Sequence, residues 1–304
     1  MHNGIIVVDK PCGITSHKVI SELRRILGMR RIGHGGTLDP LATGVLPVFV
    51  GRATRASSFI LNSDKSYITT FKLGITTDTQ DITGNILSEN NNLPTEGEIS
   101  NIFDKFTGNL SQLPPMYSAV KVGGKKLYEL ARSGIEVERD SRNITIYSID
   151  LDTNSSIPSE GIYTIAVSCS KGTYIRTLVH DIGQALGCGA TLTDLRRTST
   201  GPFNLGMAKT LDEIEDVSRN SSVDSILIPV DEIFSEYPAL SLDLHGERLC
   251  RNGALIPVSS VSGQQKPGKM YRVYGPDGKF LMLGKTIKSN DDIYLKTVKN
   301  FFEV

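Results

Sequence analysis

The sequence predicts an α+β fold in which a large N-terminal domain is followed by a small C-terminal β-barrel. Strand-like and helical segments succeed one another without a regular βαβ alternation, which favours α+β over a doubly wound sheet. A chain of 304 residues is long enough for one large core and a small second one. After an acidic connector at Met207–Glu236, short apolar runs separated by glycine turns are typical of a small barrel. We therefore expect domains at residues 1–236 and 237–304.

The first expected elements are a strand and a helix. Ile5–Val8 is a short apolar run that stops before Pro11, as a buried strand would. Thr15 or Ser16 can cap the helix that follows, and Gly28 stands just past its end. The apolar side chains of this helix recur at helical spacing: Val19, Ile20, Leu23 and Leu27.

The middle of the chain is expected to alternate between loops, strands and a helix. Arg30–Pro47 is rich in glycine and turn residues and has no clear periodicity, so we expect a long structured loop. Loops of this length inside compact domains tend to be functional. Tyr67–Leu73 and Ile162–Cys169 have the composition of strands, and Thr177–Leu186 has the spacing of a helix.

One segment, Gln112–Ile146, is expected to leave the sheet as a partly helical excursion. It opens with Pro114 and Pro115, which break regular structure. Its tip carries three lysines and an amphipathic piece: Lys121, Lys125, Lys126, Leu127, Leu130 and Ala131. The excursion should therefore present positive charge away from the sheet.

The composition is that of an ordinary soluble protein, with 39% hydrophobic and 22% charged residues. No apolar run approaches the roughly 20 residues needed to cross a bilayer. The N-terminus lacks the basic start and long apolar stretch of a signal peptide, so we expect a cytoplasmic protein without a membrane partner. The four cysteines are far apart and form no CxxC pair, which argues against a metal site and favours reduced thiols.

The net charge is zero, but the charges are unevenly distributed along the chain. Met1–Arg55 has eight basic residues against three acidic ones, and Pro238–Val304 has ten against six. Met207–Glu236 has eight acidic residues against two basic ones. Basic ends could bind nucleic acid, although a basic cluster is more often a solvated surface.

The densest cluster of unusual residues surrounds Asp39, in the segment GHGGTLDPLATG that begins at Gly33. Glycines allow a backbone to approach a ligand closely, and Pro40 holds Asp39 in a turn. A carboxylate placed there can act as a nucleophile on a sugar carbon. It can equally well just accept hydrogen bonds from turn amides. The glycine spacing fits neither GxGxxG nor a P-loop, which disfavours nucleotide binding.

Five blocks of this sequence closely resemble the bacterial TruB family, the synthases that make pseudouridine at position 55 of tRNA. They follow the family's order over residues 4–203 and read IIVVDKPCGITSH, GHGGTLDPLATGVLP, LNSDKSYITTFKLGITTDTQDITG, QLPPMYSAVKVGGKKLYELARSGIEVER and SKGTYIRTLVHDIGQALGCGATLTDLRRT. The resemblance implies the pseudouridine synthase fold, with a mixed, mainly antiparallel sheet flanked by helices and loops. The C-terminal segment more weakly resembles the family's PUA-type RNA-binding domain.

The resemblance implies three catalytic residues. Asp39 matches the catalytic aspartate, and Arg176 matches the arginine that pairs with it and favours its charged form. Tyr67 matches the tyrosine that stacks on the target base and has been proposed to move a proton. The alternatives are a purely structural ion pair for Arg176 and simple core packing for Tyr67.

Four further residues match substrate-binding positions of the family. Tyr174 and Leu195 match pocket residues that enclose the flipped nucleoside. Lys10 belongs to a lysine–proline pair beside the pocket. His34 matches a histidine that contacts the RNA where the uridine has left its stack, although a lone histidine more often caps or packs.

The function implied is isomerisation of uridine to pseudouridine in the T-loop of tRNA, by base flipping and an aspartate nucleophile. The reaction oxidises nothing and adds nothing, so we expect no cofactor and no metal. The expected partner is the T-arm stem-loop of tRNA, gripped by the thumb-like insertion at 112–146, and the enzyme is expected to act as a monomer. Two alternatives are a non-catalytic RNA binder, which would need no Asp39, and a relative dependent on a guide RNA and partner proteins, against which the thumb argues.

Overall fold

The computed structural model describes residues 2–289 and 292–302. Its strands are β1 (Gly4–Lys10), β2 (Ile32–His34), β3 (Thr43–Val50), β4 (Lys65–Leu73), β5 (Ile75–Thr77), β6 (Ile86–Glu89), β7 (Gly108–Gln112), β8 (Lys121–Val122), β9 (Lys125–Lys126), β10 (Arg142–Ile157), β11 (Ile162–Cys169), β12 (Ala190–Thr200), β13 (Phe203–Asn204), β14 (Ala239–Leu242), β15 (Ile256–Pro257), β16 (Val261–Ser262), β17 (Met270–Tyr274), β18 (Phe280–Ser289) and β19 (Asp292–Asn300). Its α-helices are α1 (Ser16–Leu27), α2 (Ser57–Leu61), α3 (Glu96–Ile102), α4 (Leu127–Arg132), α5 (Ile175–Ala185), α6 (Leu211–Asn220) and α7 (Leu244–Arg251). Short 3₁₀ helices cover Gly51–Ala56, Phe103–Phe106, Pro158–Glu160, Leu205–Met207, Val223–Ile226, Val230–Phe234 and Val258–Ser260.

A nine-stranded sheet forms the centre of the molecule. Its strands lie in the order β1-β3-β12-β4-β11-β10-β7, with β2 added to β3 and β13 to β12. The pairing is antiparallel except between β3 and β12, which run parallel through Thr43 and Gly44. The sheet is therefore mixed and mainly antiparallel, which confirms the predicted α+β class.

One face of this sheet is covered by α1 and α5. In β4 the residues Tyr67 and Phe71 point into the core while Ile68 between them is exposed, which is the period-two pattern of a half-buried strand. The helix α1 is the one predicted: the Thr15 side chain accepts a hydrogen bond from Lys18 N, and Gly28 ends the helix at φ 60°. Apolar side chains of both helices share one core with those of the strands.

The prediction of a continuous loop at Arg30–Pro47 is wrong at both of its ends. Residues Ile32–His34 form β2, and β3 begins at Thr43. The sequence of β3 does not alternate between apolar and polar residues, because both faces of the strand are buried. Leu46 and Val48 point into one hydrophobic cluster, whereas Val45 and Phe49 point into another. Only the intervening segment, which contains Asp39, is a loop.

The thumb-like excursion is partly helical, as predicted. After β7 ends at Gln112 the chain leaves the sheet, forms the β8–β9 hairpin and then α4, and rejoins the sheet at β10. Lys121 and Lys125 are exposed on the hairpin, so the tip presents positive charge.

The C-terminal residues form a separate six-stranded, barrel-like sheet in the order β15-β19-β18-β17-β14-β16. Its pairs are antiparallel except for β14 with β17. Leu283 and Phe301 of this sheet pack into the same cluster as Phe49 and Phe203 of the central sheet. The boundary between residues 236 and 237 stays a prediction. Within residues 2–289 and 292–302, no helix is long and apolar enough to cross a membrane.

Candidate active site

The loop that carries Asp39 is held in place by the buried ammonium group of Lys10. Lys10 Nζ donates to the carbonyls of Pro11 at 2.9 Å, Pro40 at 3.3 Å and Ala42 at 2.6 Å. Two of these carbonyls, those of Pro40 and Ala42, closely follow Asp39 in the loop. Burial lowers the pKa of Lys10 to about 8, although Cys12 and Asp39 oppose the shift. Lys10 thus binds the loop's backbone from the end of β1.

A second attachment comes from the beginning of α1. Ser16 Oγ donates to the Leu38 carbonyl at 3.0 Å and lies 2.9 Å from Leu38 N, which donates to it. Gly13 N donates to the Pro40 carbonyl at 2.8 Å, and Ala42 N donates to the Asp39 carbonyl at 3.1 Å. The backbone on both sides of Asp39 is therefore fixed by neighbouring elements, which leaves the carboxylate as the free part of the turn.

Arg176, in the first turn of α5, points at this carboxylate. Its Nε donates to Asp39 Oδ2 at 2.9 Å. Its Nη1 and Nη2 donate to the carbonyls of Thr79 and Tyr117, each at 2.8 Å. The Arg176 side chain is 6% exposed and that of Asp39 is 41% exposed. In this pair the carboxylate is partly exposed to solvent. The guanidinium is buried and donates hydrogen bonds through Nε, Nη1 and Nη2.

A second carboxylate, that of Asp81, lies near the same nitrogen of Arg176 that binds Asp39. Its Oδ2 is 3.8 Å from Arg176 Nε, and its Oδ1 accepts from Thr83 N at 3.0 Å and Thr79 Oγ1 at 2.9 Å. Our sequence analysis missed Asp81. The available signal was an aspartate flanked two residues away on both sides by threonine, which is the pattern of a side chain that organises its own turn.

Tyr67 joins the site through Arg197, a second residue that sequence reasoning missed. The two are cross-strand partners on β4 and β12. Arg197 is 1% exposed, and it donates through Nε to the Val45 carbonyl at 2.8 Å and through Nη2 to the Gly36 carbonyl at 3.2 Å. Burial raises the pKa of Tyr67. One buried guanidinium thus links both flanks of the Asp39 loop to the strand that carries Tyr67.

The other predicted site residues lie around this centre. Tyr174 immediately precedes α5, is half-buried, and exchanges two backbone hydrogen bonds with the side chain of Gln112. Leu195 is buried on β12, and its carbonyl accepts from Thr43 Oγ1 at 3.5 Å at the end of the Asp39 loop. Neither residue has a direct bond to Asp39 among the described contacts.

His34 lies at the other end of the loop, on the last position of β2. Its Nδ1 is buried and has no hydrogen-bond partner within the described ranges. Burial lowers the pKa of His34, with Arg197 and His17 acting in the same direction. A neutral imidazole with an unused ring nitrogen is suited to a polar ligand, but this role stays a prediction.

Two family models match this chain over adjacent ranges. One, described as "TruB family pseudouridylate synthase (N terminal domain)", matches residues 24–175. The other, described as "tRNA pseudouridylate synthase B C-terminal domain", matches residues 176–235. The chain belongs to the TruB family. The second range begins at Arg176 and contains β12 and β13, so the two matched ranges together hold every strand of the central sheet of this TruB-family chain except β1.

Curated relatives agree with this assignment over the whole length. The tRNA pseudouridine synthase B of Clostridium kluyveri is 40% identical over 299 residues, which cover 98% of this chain and 99% of that protein. That of Pseudomonas fluorescens is 44% identical over 287 residues, covering 93% and 91%. The chain accordingly has tRNA pseudouridine synthase activity, which makes it an isomerase.

Solved structures confirm the pseudouridine synthase fold. A chain of the structure titled "Crystal Structure of a Cbf5-Nop10-Gar1 Complex" superposes with a TM-score of 0.74 and 27% identity, over 98% of this chain and 85% of that one. A second, titled "Structure of H/ACA RNP bound to a substrate RNA containing 2'-deoxyuridine", gives a TM-score of 0.73 and 25% identity, over 99% and 85%.

Proposed function

We propose that this enzyme converts the uridine at position 55, in the T-loop of tRNA, to pseudouridine, with Asp39 as the reacting carboxylate. The observation that carries the proposal is the Asp39–Arg176 pair, in which the guanidinium is buried and the carboxylate remains 41% exposed. The position and the T-loop are supported by the TruB-family sequence blocks around Asp39, Tyr67 and Arg176.

The chemistry requires one bond to break and another to form on the same sugar. The C1′–N1 bond of the uridine breaks, the uracil turns, C1′ bonds to C5, and the proton on C5 leaves while N1 regains one. Asp39 can attack C1′ directly, or it can take a proton from the neighbouring sugar carbon to give a glycal. Both routes need an ionised carboxylate held at a fixed place, and Arg176 and Lys10 supply that placement.

We infer that the uridine is flipped out of the RNA before it reacts. A base stacked in a loop cannot reach a carboxylate at the bottom of a protein turn, and unstacking it costs a few kcal/mol. Tyr67 and Tyr174 offer aromatic surface to the extruded base, and the apolar Leu195 helps to exclude water from the detached uracil. His34 is proposed to contact the RNA backbone or base that the uridine leaves behind.

The substrate is proposed to be gripped through the T-arm alone. The exposed Lys121 and Lys125 lie on the thumb tip, where they can bind backbone phosphates of one hairpin. Because the thumb of the same chain holds the substrate, we propose that the enzyme acts as a monomer without a guide RNA or partner protein. We also propose that it acts in the cytoplasm. An isolated T-arm stem-loop should then be modified almost as well as whole tRNA.

The decisive experiment replaces Asp39 with asparagine. Asp39→Asn keeps the size and the hydrogen-bonding capacity of the side chain but removes its charge, and its position in a half-exposed turn leaves no core cavity. We expect a folded protein that binds T-arm RNA within about tenfold of the unmodified enzyme, roughly 1.4 kcal/mol. It should form no pseudouridine, mapped by carbodiimide-dependent reverse-transcription stops.

Tyr67→Phe is the companion variant, because it keeps the aromatic face and loses only the hydroxyl. RNA binding should survive, and turnover should fall if the hydroxyl moves a proton. Pseudouridine formation by Asp39→Asn protein, shown to be free of deamidation back to aspartate, would refute the proposed chemistry. If the unmodified enzyme gave a carbodiimide-dependent reverse-transcription stop only at a uridine other than position 55, the proposed target would be wrong.

A further inference from the structure

The side chain of Gln112 makes an unusual attachment to the segment that begins α5. Gln112 is the last residue of β7 and is 4% exposed. Its Nε2 donates to the Tyr174 carbonyl at 3.0 Å, and its Oε1 accepts from Tyr174 N at 2.8 Å. The amide thus binds both backbone groups of one residue, as a neighbouring strand would. Tyr174 stands two positions before Arg176.

A second attachment follows five residues later on the same stretch of chain. The carbonyl of Tyr117 accepts from Arg176 Nη2 at 2.8 Å. Residues 112–118, which we call the proximal limb, therefore contact the catalytic end of α5 twice, at Tyr174 and at Arg176. Arg139 on the returning side donates through Nε to the Pro114 carbonyl at 2.6 Å, which closes the base of the thumb.

The start of α5 has no side-chain cap of its own, and the proximal limb holds the backbone of its N-cap residue and the side chain of Arg176. Tyr174 is the N-cap residue, and its side chain accepts no backbone hydrogen bond. Gln112 binds the Tyr174 N–H and carbonyl from outside the helix, and the same carbonyl also accepts the intrahelical bond from Leu178 N at 3.0 Å. A displacement of the proximal limb would consequently displace the helix start, and with it the guanidinium that aims Asp39.

We propose that Gln112 is a positioning residue for the reaction, which ties the thumb to the Asp39–Arg176 pair. The proximal limb leads to the thumb tip at one end and holds Tyr174 and Arg176 at the other, so the base of the thumb sets the position of the guanidinium next to Asp39. This inference rests on the proposed roles of Asp39 and Arg176. It adds that the thumb aligns the site as well as binding the substrate.

The test compares Gln112→Met with two controls in single-turnover assays on T-arm RNA. Methionine has the same length and fills the same space, but it can make neither bond to Tyr174. We expect the single-turnover rate to fall about tenfold to a hundredfold, the effect of a misplacement of roughly 1 Å. The dissociation constant of the RNA should change by less than about threefold, because no phosphate contact is lost.

The first control removes charge at the thumb tip. The double variant Lys121→Gln and Lys125→Gln should raise the dissociation constant of the RNA and flatten its salt dependence, the binding defect that Gln112→Met should lack. The second control, Ile144→Ala, removes a buried side chain from β10, opposite Leu110 of β7. It should lower the thermal midpoint at least as much as Gln112→Met does and leave the saturating rate near that of the unmodified enzyme.

The inference is overturned if Gln112→Met lowers the thermal midpoint but keeps the unmodified single-turnover rate, or if it weakens RNA binding alone. If the methionine variant does not fold, Gln112→Glu keeps the acceptor for Tyr174 N and loses the donor, and the same two readouts apply. An active Asp39→Asn enzyme would refute the proposed function instead. With Asp39→Asn inactive, an unaffected Gln112→Met enzyme counts against this inference alone.

Discussion

At the scale of single residues, Lys10 is a fully buried lysine that binds the backbone of the Asp39 loop. Its ammonium group has three N–H bonds, and three backbone carbonyls of the site region accept them. A neutral amine keeps only two N–H bonds, and its lone pair is repelled by a carbonyl oxygen. The hold on the loop that carries Asp39 should therefore weaken when Lys10 loses its proton.

The first prediction is an opposite pH dependence of stability and turnover. The pKa of Lys10 is lowered from its ordinary 10.5 to about 8 by burial. Between these values the unfolded chain binds a proton that the folded protein has released, so this group makes the free energy of unfolding rise with pH. Turnover on T-arm RNA should fall as the pH rises through about 8, because the loop loses a hydrogen bond.

Lys65 is the matched control for this prediction. Burial lowers its pKa to about 8 as well, but its Nζ donates to the Ser63 carbonyl, away from the Asp39 loop. A Lys65→Arg enzyme, which cannot lose its charge, should keep the alkaline fall in turnover. A Lys10→Arg enzyme that folds should lose it. If instead Lys65→Arg removed the alkaline fall in turnover and Lys10→Arg kept it, loss of the Lys10 proton would not be its cause.

At the residue scale, the sequence by itself shows only features that have a local pattern. The glycine-rich turn around Asp39 is visible in the sequence, and the family resemblance paired it with Arg176, which lies 2.9 Å away. Arg197 could not be found in the same way. It follows Arg196 in a polar run, and only the strand's pleat shows that one arginine is buried and the other pairs with Asp9 near the surface.

At the scale of elements, the Asp39 loop depends on a glycine where three strands meet. Gly44 is the second residue of β3 and lies between Lys10 of β1 and Arg197 of β12. Its φ is 96°, and a Cβ added there would lie 2.2 Å from the Arg197 carbonyl oxygen. Both the backbone conformation and the spacing of the parallel pair therefore require glycine.

The second prediction compares Gly44→Ala with Gly108→Ala. The comparison separates the cost of the positive φ from the cost of the close approach of β12. Gly108 has a φ of 98°, but an added Cβ would meet nothing within 4 Å. Gly108→Ala should therefore lower the free energy of unfolding by only about 1 kcal/mol. Gly44→Ala should lower it by more than about 3 kcal/mol, since β12 must move away from β3. Equal losses in urea unfolding would mean that the close approach of β12 contributes nothing.

Elements were predictable to the degree that they have one buried face. The strand β11 was predicted at its observed bounds, and α1 was predicted from its caps. The strand β12, at the centre of the sheet, was not predicted. Its register shifts between Leu192 and Asp194 and again between Arg197 and Ser199, so its buried residues do not keep a period of two. The long strand β10 ends in a polar, exposed half that has no apolar pattern either.

At the scale of the whole molecule, the two sheets share an aromatic cluster. Phe234 lies 4.9 Å from Phe59 of the central part, ring centre to ring centre, and 5.9 Å from Phe301 of the C-terminal sheet. Phe280 stacks on Phe301 at 5.2 Å. The glycine turns predicted a barrel, but this shared core was invisible in the sequence. Its members are spread over more than 200 residues, from Phe59 to Phe301, and follow no local period.

The shared core changes what removal of the C-terminal sheet should do. Deleting Pro238–Val304 would expose Phe234, which now packs against Phe280 and Phe301. We expect the truncated protein to lose about 3 kcal/mol or more of its free energy of unfolding, the value of one or two buried aromatic side chains. A raised KM in such a variant would therefore mix weaker RNA binding with partial unfolding.

The last prediction isolates RNA binding by the C-terminal sheet through its charges alone. Lys285 and Lys296 are exposed and lie directly opposite each other on β18 and β19. Like charges in this position repel, so replacing both with glutamine should not destabilise the sheet. If they bind phosphates remote from Asp39, the double variant should raise KM and reduce the salt dependence of tRNA binding by about two charges, with kcat unchanged. Lys279→Gln is the control, because Lys279 lies in the turn between β17 and β18, already pairs with Asp277 at 2.7 Å, and should contribute little to binding. A fall in kcat with a constant KM would show that the C-terminal sheet helps to build the site around Asp39. Equal effects of Lys279→Gln and the double variant would mean that Lys285 and Lys296 have no special role in binding.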